Sequence, residues 1–354
     1  MPVKLFALHA ERMTKETAPL VSALHKRAYL TPDALCYEYL ANPDASRLYY
    51  GTDDKGTVAA SQGWVGQTLI HDGVPVPSLM TERTLLSPAY WARADYRQFY
   101  LDSLAETAAA TSATFAWGGT AALKAFARFG FDAADCFGHE VMVCGLSPIL
   151  AVIRAPESWK WRAYHGALYG LSLAKHWLSL PWFKRRRYIV REEVPSDSEL
   201  EAFMCALSTA HPDSYFMNYT RAKLAWFATD NPFKKREVVT LRRGDALEGL
   251  ALVDDRGNRL AVLADCLLLH SANADRALLD LARHYGRRGR AGLYFWGNRG
   301  NSYIAALRQG LSRLGALPLR KETAQLVIRG VDADGSAHPP ASALAMVWSW
   351  SPPL

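Results

Sequence analysis

Paired cysteines are missing from this sequence. Its five cysteines, Cys36, Cys136, Cys144, Cys205 and Cys266, lie far apart in mostly apolar settings, with no Cys-x-x-Cys. That spacing speaks against a thiolate metal site and a disulfide framework, and it points to a reducing cytoplasm. No uncharged run approaches the ~18 residues that a membrane-spanning helix needs. The opening stretch MPVKLFALHAERM lacks the long apolar core of a signal peptide. Also missing are GxxxxGK, HExxH and GxSxG, which argues against a P-loop, a zinc protease and a serine hydrolase. There is no low-complexity tract.

What is present is enough chain for two hydrophobic cores: 354 residues, 50% of them hydrophobic. The net charge is +7, and basic residues gather in WFKRRRY (182–188), HYGRRGR (284–290) and TLRRG (240–244). Such clumps form a solvated face or attract phosphates, whether of a nucleotide cofactor, an acidic carrier protein, nucleic acid or lipid. Nucleic acid is disfavoured, because the aromatics fall in core-like strands and form no stacking platform on a basic face.

The pattern along the chain repeats. Residues 3–8 read as a strand and 15–29 as a helix with Leu20, Val21, Leu24 and His25 on one side. Three strand-like runs follow at 48–52, 57–70 and 76–86, then a helix at 92–110. A strand at 114–118, a helix at 120–129 and a strand at 139–146 close the first half. The second half gives a strand at 187–194 and a helix at 198–208, then a meander at 236–243, 245–255 and 259–269. A helix at 274–286, a strand at 291–297, a helix at 301–314 and a strand at 324–330 complete it. Landmarks recur as well. Tyr37 stands five residues before Asn42-Pro43, and Trp226 five before Asn231-Pro232; both late helices end in Arg-x-Gly, at Gly130 and Gly315. Two copies of one mixed α/β unit are expected, at 1–149 and 188–335, with a Pro-rich tail at 336–354.

Between the copies, residues 150–187 are rich in Trp, Leu, Tyr and basic residues at helical spacing, stopped by Pro181. This bridge is either a helix packed on both cores or an interfacial amphipathic segment. In the second case residues 160–187, with Lys184 to Arg187, meet anionic lipid at the inner face of the membrane.

The stretches TLLSPAYWARADYRQFYLDSL (84–104) and ALKAFARFGF (122–131) carry a resemblance that covers both halves. A meander feeding a helix N-terminus, then strand, helix, RFGF and strand, resembles the GNAT N-acyltransferase superfamily. More narrowly, it is similar to the tandem-GNAT proteins of bacterial surface-polysaccharide and related acyl-transfer clusters. The resemblance implies an α/β fold of two GNAT-like domains with mixed sheets, joined by a helical bridge. It implies an acyl donor, acetyl-CoA or another acyl-CoA or an acyl-carrier protein, no metal, and a small acceptor such as an amino sugar.

In that family a splayed strand receives the pantetheine arm, and the following helix N-terminus, with free amides and a positive dipole end, receives the pyrophosphate. The positions implied here are Thr84, Leu85 and Leu86 for the arm, and Trp91, Ala92, Arg93, Ala94, Asp95 and Tyr96 for the phosphates. The usual Arg/Gln-x-x-Gly-x-Gly/Ala reads Trp91, Ala94 and Tyr96. The second-half junction LLLHSANADRALL (267–279) has no glycine, so its cradle reads as lost. Glu82, mid-strand, holds the family's base position and by alternation shares a face with Met80 and Thr84; it could equally pair with Arg83 or Arg93. The usual acid, a Tyr, is replaced by Phe126 and by Leu311, which leaves Tyr96 or water. Asp265, His270, Asn298, Asn301 and Tyr303 converge at strand ends as candidates for an acceptor cleft, with a cap or core role as the other reading of His270. Two functions remain open: an acyltransferase, with a protein or peptide as a weaker acceptor class, or a non-catalytic double-GNAT scaffold that docks on a partner or membrane.

Overall fold

The computed structural model describes residues 7–91, 94–107, 111–118, 120–156, 158–183, 188–233, 236–255, 260–319, 325–330 and 344–345. Ala92, Arg93, Lys184 to Arg187 and nearly all of the 336–354 tail lie outside the described residues. The first half runs β1 (His9–Arg12), α1 (Ala18–His25), α2 (Pro32–Leu40), β2 (Arg47–Thr52), β3 (Val58–Gly66), β4 (Leu69–His71), β5 (Val74–Val76) and β6 (Ser78–Leu86). It continues through α3 (Tyr96–Thr107), β7 (Ala113–Gly118), α4 (Thr120–Arg128) and β8 (Asp132–Val143). Helices α5 (Ser147–Ile153) and α6 (Trp159–Ser179) form the bridge. The second half runs β9 (Ile189–Glu192), α7 (Asp197–Ala210), β10 (Phe216–Met217), α8 (Arg221–Leu224), β11 (Arg236–Arg243), β12 (Ala246–Asp255) and β13 (Ala261–Leu268). It ends with α9 (Ala274–Arg287), β14 (Gly292–Asn298), α10 (Ser302–Arg313), β15 (Leu317–Pro318) and β16 (Gln325–Gly330).

The long strands join in one sheet of order β1-β2-β3-β6-β7-β16-β8-β14-β13-β12-β11-β9. Read from either end, that order is the same sequence of equivalent strands, so the two halves are related by a pseudo-twofold between β16 and β8. The last strand of each half is exchanged. β16, from the end of the chain, pairs with β7 of the first half, and β8 of the first half pairs with β14 of the second. Each half completes the other's sheet.

Local chemistry explains the boundaries. Gly130 and Gly315, which close α4 and α10, sit at φ 82° and 98°, the left-handed cap conformation that costs an L side chain most. At Gly315 an added Cβ would also collide with the backbone of His176 on α6. The run 57–70, expected as one strand, breaks after Gly66. The chain there turns away to build the β4–β5 hairpin, through Asp72 and Gly73 at positive φ, and β4 pairs with β10 of the other half. Helix α2 is unforeseen by periodicity; Thr31 caps it, accepting from the Ala34 amide, and Pro32 starts it.

The main hydrophobic cluster crosses between the halves, joining Val21, Leu35, Leu48 and Met80 to Leu207, Phe216, Leu252 and Ile304. A second cluster lies under α3, around Trp64, Phe99, Tyr100, Phe126 and Phe129. A buried cation reinforces the joint. Lys223, 1% exposed, donates to Asp44 Oδ2 (2.8 Å), Asn42 Oδ1 (3.2 Å) and the Gly66 carbonyl (3.1 Å).

Candidate functional site

The site begins where a ladder stops. β6 and β7 pair in parallel only at Ser78, Leu79 and Met80 with Ala113, Thr114 and Phe115. From Thr81 to Leu86 that edge of β6 has no strand partner among the described residues. On its other edge β6 stays bonded to β3, but with a bulge: Gly63 faces Glu82, Ser61 faces Leu85, and Gln62 alone opposes Arg83 and Thr84. Arg83 carries the bulge at φ 51°, a costly conformation for a side chain of its size.

The bulge resets which side chains share a face. Thr84 donates to Gln62 Oε1 (2.9 Å), and Gln62 Nε2 donates to Thr81 Oγ1, so both threonines meet the same buried glutamine. The alternation that would group Thr84 with Glu82 does not hold. Tyr96, reaching up from α3, donates to the Ser61 carbonyl (2.8 Å) with Gln62 Oε1 3.2 Å away. Burial pushes its phenol above the ordinary tyrosine range. That hydroxyl is therefore a poor proton source.

Glu82 and Arg83 belong to the opposite side, toward α1 and α2. Arg83 donates through Nη2 (2.8 Å) and Nε (3.2 Å) to Glu38 Oε2, on a fully buried carboxylate. Burial pushes Glu38 up to about 7, against the pull of Arg83. Burial also works against the charge of Arg83, but Glu38 and Glu82 outweigh it and hold the guanidinium fully ionised. His25 Nε2 lies 3.0 Å from Ser61 Oγ, and that hydroxyl donates to the Arg83 carbonyl at 2.7 Å. Since the serine proton is committed, His25 donates through Nε2 and keeps Nδ1 basic. Burial, with Arg83 and Arg27 nearby, pulls His25 down to about 4, so it is neutral at pH 7.

At the open edge of β6 residues of both sides meet in one cleft of about 300 Å³, lined by His25, Arg27, Thr81, Glu82, Arg83, Thr84, Leu85 and, from α4, Phe126, with Glu38 and Ser61 bonded behind it. Glu82 was the one acid–base candidate here that the sequence pattern singled out. His25, Glu38, Ser61 and Gln62 were missed as site residues. A histidine on the apolar side of α1 and a lone carboxylate inside Cys-Tyr-Glu-Tyr-Leu were the available signals.

The turn after β6 is largely engaged by the protein itself. Trp91 folds back, its Nε1 donating to the Leu86 carbonyl (2.8 Å), while the ring is 69% exposed. The Trp91 amide bonds to Pro88 O and the Ala94 amide to Tyr90 O. Asp95 caps α3, accepting from the Gln98 amide at 3.0 Å. A carboxylate thus occupies the positive helix end, where a phosphate would otherwise bind.

The second half repeats the geometry with a different outcome. β13 pairs with β14 only at Ala261, Val262 and Leu263, and a bulge against β12 follows at Leu252/Val253. Here Tyr303 of α10 fills the opening: its hydroxyl accepts from the Leu268 amide and donates to the Cys266 carbonyl (3.2 Å). The first-half helix α4 instead begins Thr120-Ala121-Ala122. Of the residues expected to line an acceptor cleft, Asp265, Asn298, Asn301 and Tyr303 bond to other groups of the protein, and His270 stands apart from them at the surface. Asp265 is buried and accepts from Tyr219 (2.8 Å). Asn298 donates to the Leu344 carbonyl, and Asn301 caps α10 at the Ile304 amide while donating to Ser214. His270 is exposed ahead of a short 3-10 turn. Buried polar groups need partners, and Asp265, Asn298, Asn301 and Tyr303 have theirs inside the core. Among the described residues no group of three or more His, Cys, Asp or Glu is placed to hold a metal.

No protein-family model matches the sequence, and no curated protein matches it. Solved structures do. A GCN5-related N-acetyltransferase from Anabaena variabilis is similar over 92% of this chain and 73% of its own, at 11% identity and TM-score 0.60. A probable N-acyltransferase from Enterococcus faecalis gives the same coverages and identity at TM-score 0.59. A tandem GNAT protein from the clavulanic acid biosynthesis pathway aligns over 92% of this chain and 98% of its own, at 14% identity and TM-score 0.52. At such identities the likeness is one of fold: a mixed α/β protein of two GNAT-like units in tandem.

Proposed function

We propose that the chain is an acyltransferase that moves an acyl group from a pantetheine thioester to a small acceptor bearing an amine or hydroxyl, in the first half. The observation that carries this is the opening of β6 from β7 past Met80, with Glu82 and His25 lining the cleft so formed. The free β6 edge suits the amide-rich arm of acetyl-CoA, another acyl-CoA or an acyl-carrier protein. In the second half Tyr303 already takes up that kind of hydrogen bonding.

The chemistry asks little more. The acceptor nitrogen attacks the thioester carbonyl, a C–N bond forms, and the C–S bond breaks as the tetrahedral carbon collapses. Glu82 takes the proton that the amine loses, with His25 beside it neutral and so not competing as a cation for the acceptor amine's place. The thiolate leaves without a protein acid, since a thiol of pKa ~8.5 is a good leaving group. Tyr96 holds β3 and α3 together rather than donating its proton.

The nucleotide end of a CoA fits less well. Asp95 already caps α3, so the phosphates meet side chains such as Arg27 at the cleft mouth instead of a helix end. The acceptor implied by the resemblance, an amine-bearing intermediate such as an amino sugar, belongs to this proposal. So does placement in the cytoplasm. The capped α3 favours the second reading, a catalytically silent scaffold. Calorimetric titration with acetyl-CoA and with acetyl-pantetheine separates the two. The transferase reading expects saturable binding of both, similar in strength, and protection of ~2.7 kcal/mol at a hundredfold excess over Kd. Glu82→Gln should keep the binding and lose turnover. Absence of both heat and thermal protection with either thioester would overturn the transferase reading.

A further inference from the structure

We infer that α5 and α6 form a docking face for an anionic membrane surface, on which the protein lies without crossing. Helix α6 touches the sheet by a narrow strip. Ser172 accepts from the Val143 amide, His176 donates to the Leu314 carbonyl, and these are its only two fully buried residues. The outer face is apolar. Tyr164, Ala167, Leu171, Ala174 and Leu178 recur every three to four residues and are all exposed, Leu171 at 56% and Leu178 at 75%. Trp159 and Trp177 flank the stripe at 68% and 62% exposure. Leu146, at the start of the adjoining α5, and Leu150 and Ile153 within it are exposed as well. Scattered exposed apolar residues need no cause, but a contiguous patch of this kind does.

Charge selects the occupant. From Ser158 to Phe183 the sequence carries Lys160, Arg162 and Lys175 and not one Asp or Glu, and it runs straight on into Lys184-Arg185-Arg186-Arg187. From Leu146 to Arg187 Glu157 is the one acidic residue of the sequence, so a second copy of the chain would set these cations mostly against their own equivalents, which disfavours self-association. An anionic bilayer offers phosphates to the lysines and arginines, a headgroup zone for the tryptophans, and acyl chains for the leucines. No helix among the described residues is long and apolar enough to span a membrane. This face is separate from the cleft beside β6, so it does not depend on the transferase reading.

The test is co-sedimentation of the full chain with vesicles of phosphatidylcholine alone or with about one third phosphatidylglycerol, over a salt series, beside its molar mass in solution. Binding should require the anionic lipid and weaken as salt rises. Leu171→Glu with Leu178→Glu should reduce the bound fraction about tenfold while circular dichroism and thioester binding stay unchanged. Wild type that fails to bind anionic vesicles overturns the inference. So does a dimer in solution that the double variant dissociates, since the face would then be a self-interface.

Discussion

Tyr37 and Trp226, which occupy the same place five residues ahead of an Asn-Pro in each half, are each other's partners. Tyr37 donates from its hydroxyl to the Trp226 carbonyl (2.7 Å), Trp226 Nε1 donates to the Tyr37 carbonyl (3.1 Å), and the rings stack with centroids 6.1 Å apart. The repeat landmark is also the joint between the repeats. Together with the exchanged β8 and β16 and the shared core, it makes the two halves one folding unit.

Truncating that joint should weaken the whole molecule. Trp226→Ala is expected to cost about 3–5 kcal/mol and Tyr37→Phe about 1 kcal/mol. Urea unfolding should remain a single transition, and the double variant should cost less than the sum, since the two residues are in contact. Two separated transitions in wild type would mean that the halves unfold independently despite the exchanged strands.

The bulge at Arg83 makes a second, sharper comparison possible. Arg83→Ala and Arg83→Gly both leave Glu38 buried without its cation, at about 3–5 kcal/mol. Only the glycine also relieves φ 51°, so Arg83→Gly should be more stable than Arg83→Ala by about 1 kcal/mol. Equal midpoints would show that the bulge stores no backbone strain.

The order of elements was legible because both halves carry strong periodicity and turn residues. The strand at 114–118 and the helices closed by Gly130 and Gly315 were readable to within a few residues. Strand exchange was not, since β8 and β16 look like any buried strand, and nothing in Val141 or Ile328 says whose neighbour each becomes. The cleft was half legible. Glu82, which lines it, was picked out by its place on the strand before the corner. His25 and Glu38 come from helices distant in sequence, and only packing against the bulge gives them a role. Alternation failed at Thr84 because one inserted residue turns the strand over. The second-half candidates were ambiguous for another reason. A cluster of polar residues at strand ends describes internal capping as well as it describes a binding site.

Filling a splay with a side chain should be reversible only at a cost. Tyr303→Phe leaves the Leu268 amide and the Cys266 carbonyl unpaired in a buried place, and is expected to cost about 1–3 kcal/mol. Tyr303→Ala should cost more, because a cavity is added to the two lost bonds. Neither variant should alter thioester binding in the first half, measured by calorimetry. A lost or doubled stoichiometry in Tyr303→Phe would move the donor site into the second half.

Acid stability tests the polar interior through opposing signs. His25 titrates at about 4 when folded against 6.5 unfolded, so between those values the unfolded chain holds more protons and stability falls as pH falls. His139, which burial and Arg299 also pull down to about 4, acts the same way. Glu38 acts oppositely. Raised to about 7 from 4.5, it binds its proton more readily in the folded chain, so its contribution is present at low pH and is lost as pH rises through 7. Burial lowers His176 and His211 as it does His25 and His139, and raises Glu140 as it does Glu38, so four histidines against two carboxylates predict a net loss from pH 6.5 to 4, with His25, His139 and Glu38 each supplying no more than about 2–3 kcal/mol. Urea midpoints measured through this range should show a flatter acid slope in His25→Gln and a steeper one in Glu38→Gln. Identical slopes in wild type and His25→Gln would mean that folding leaves the titration of His25 unchanged, and that the cleft does not hold it away from its proton.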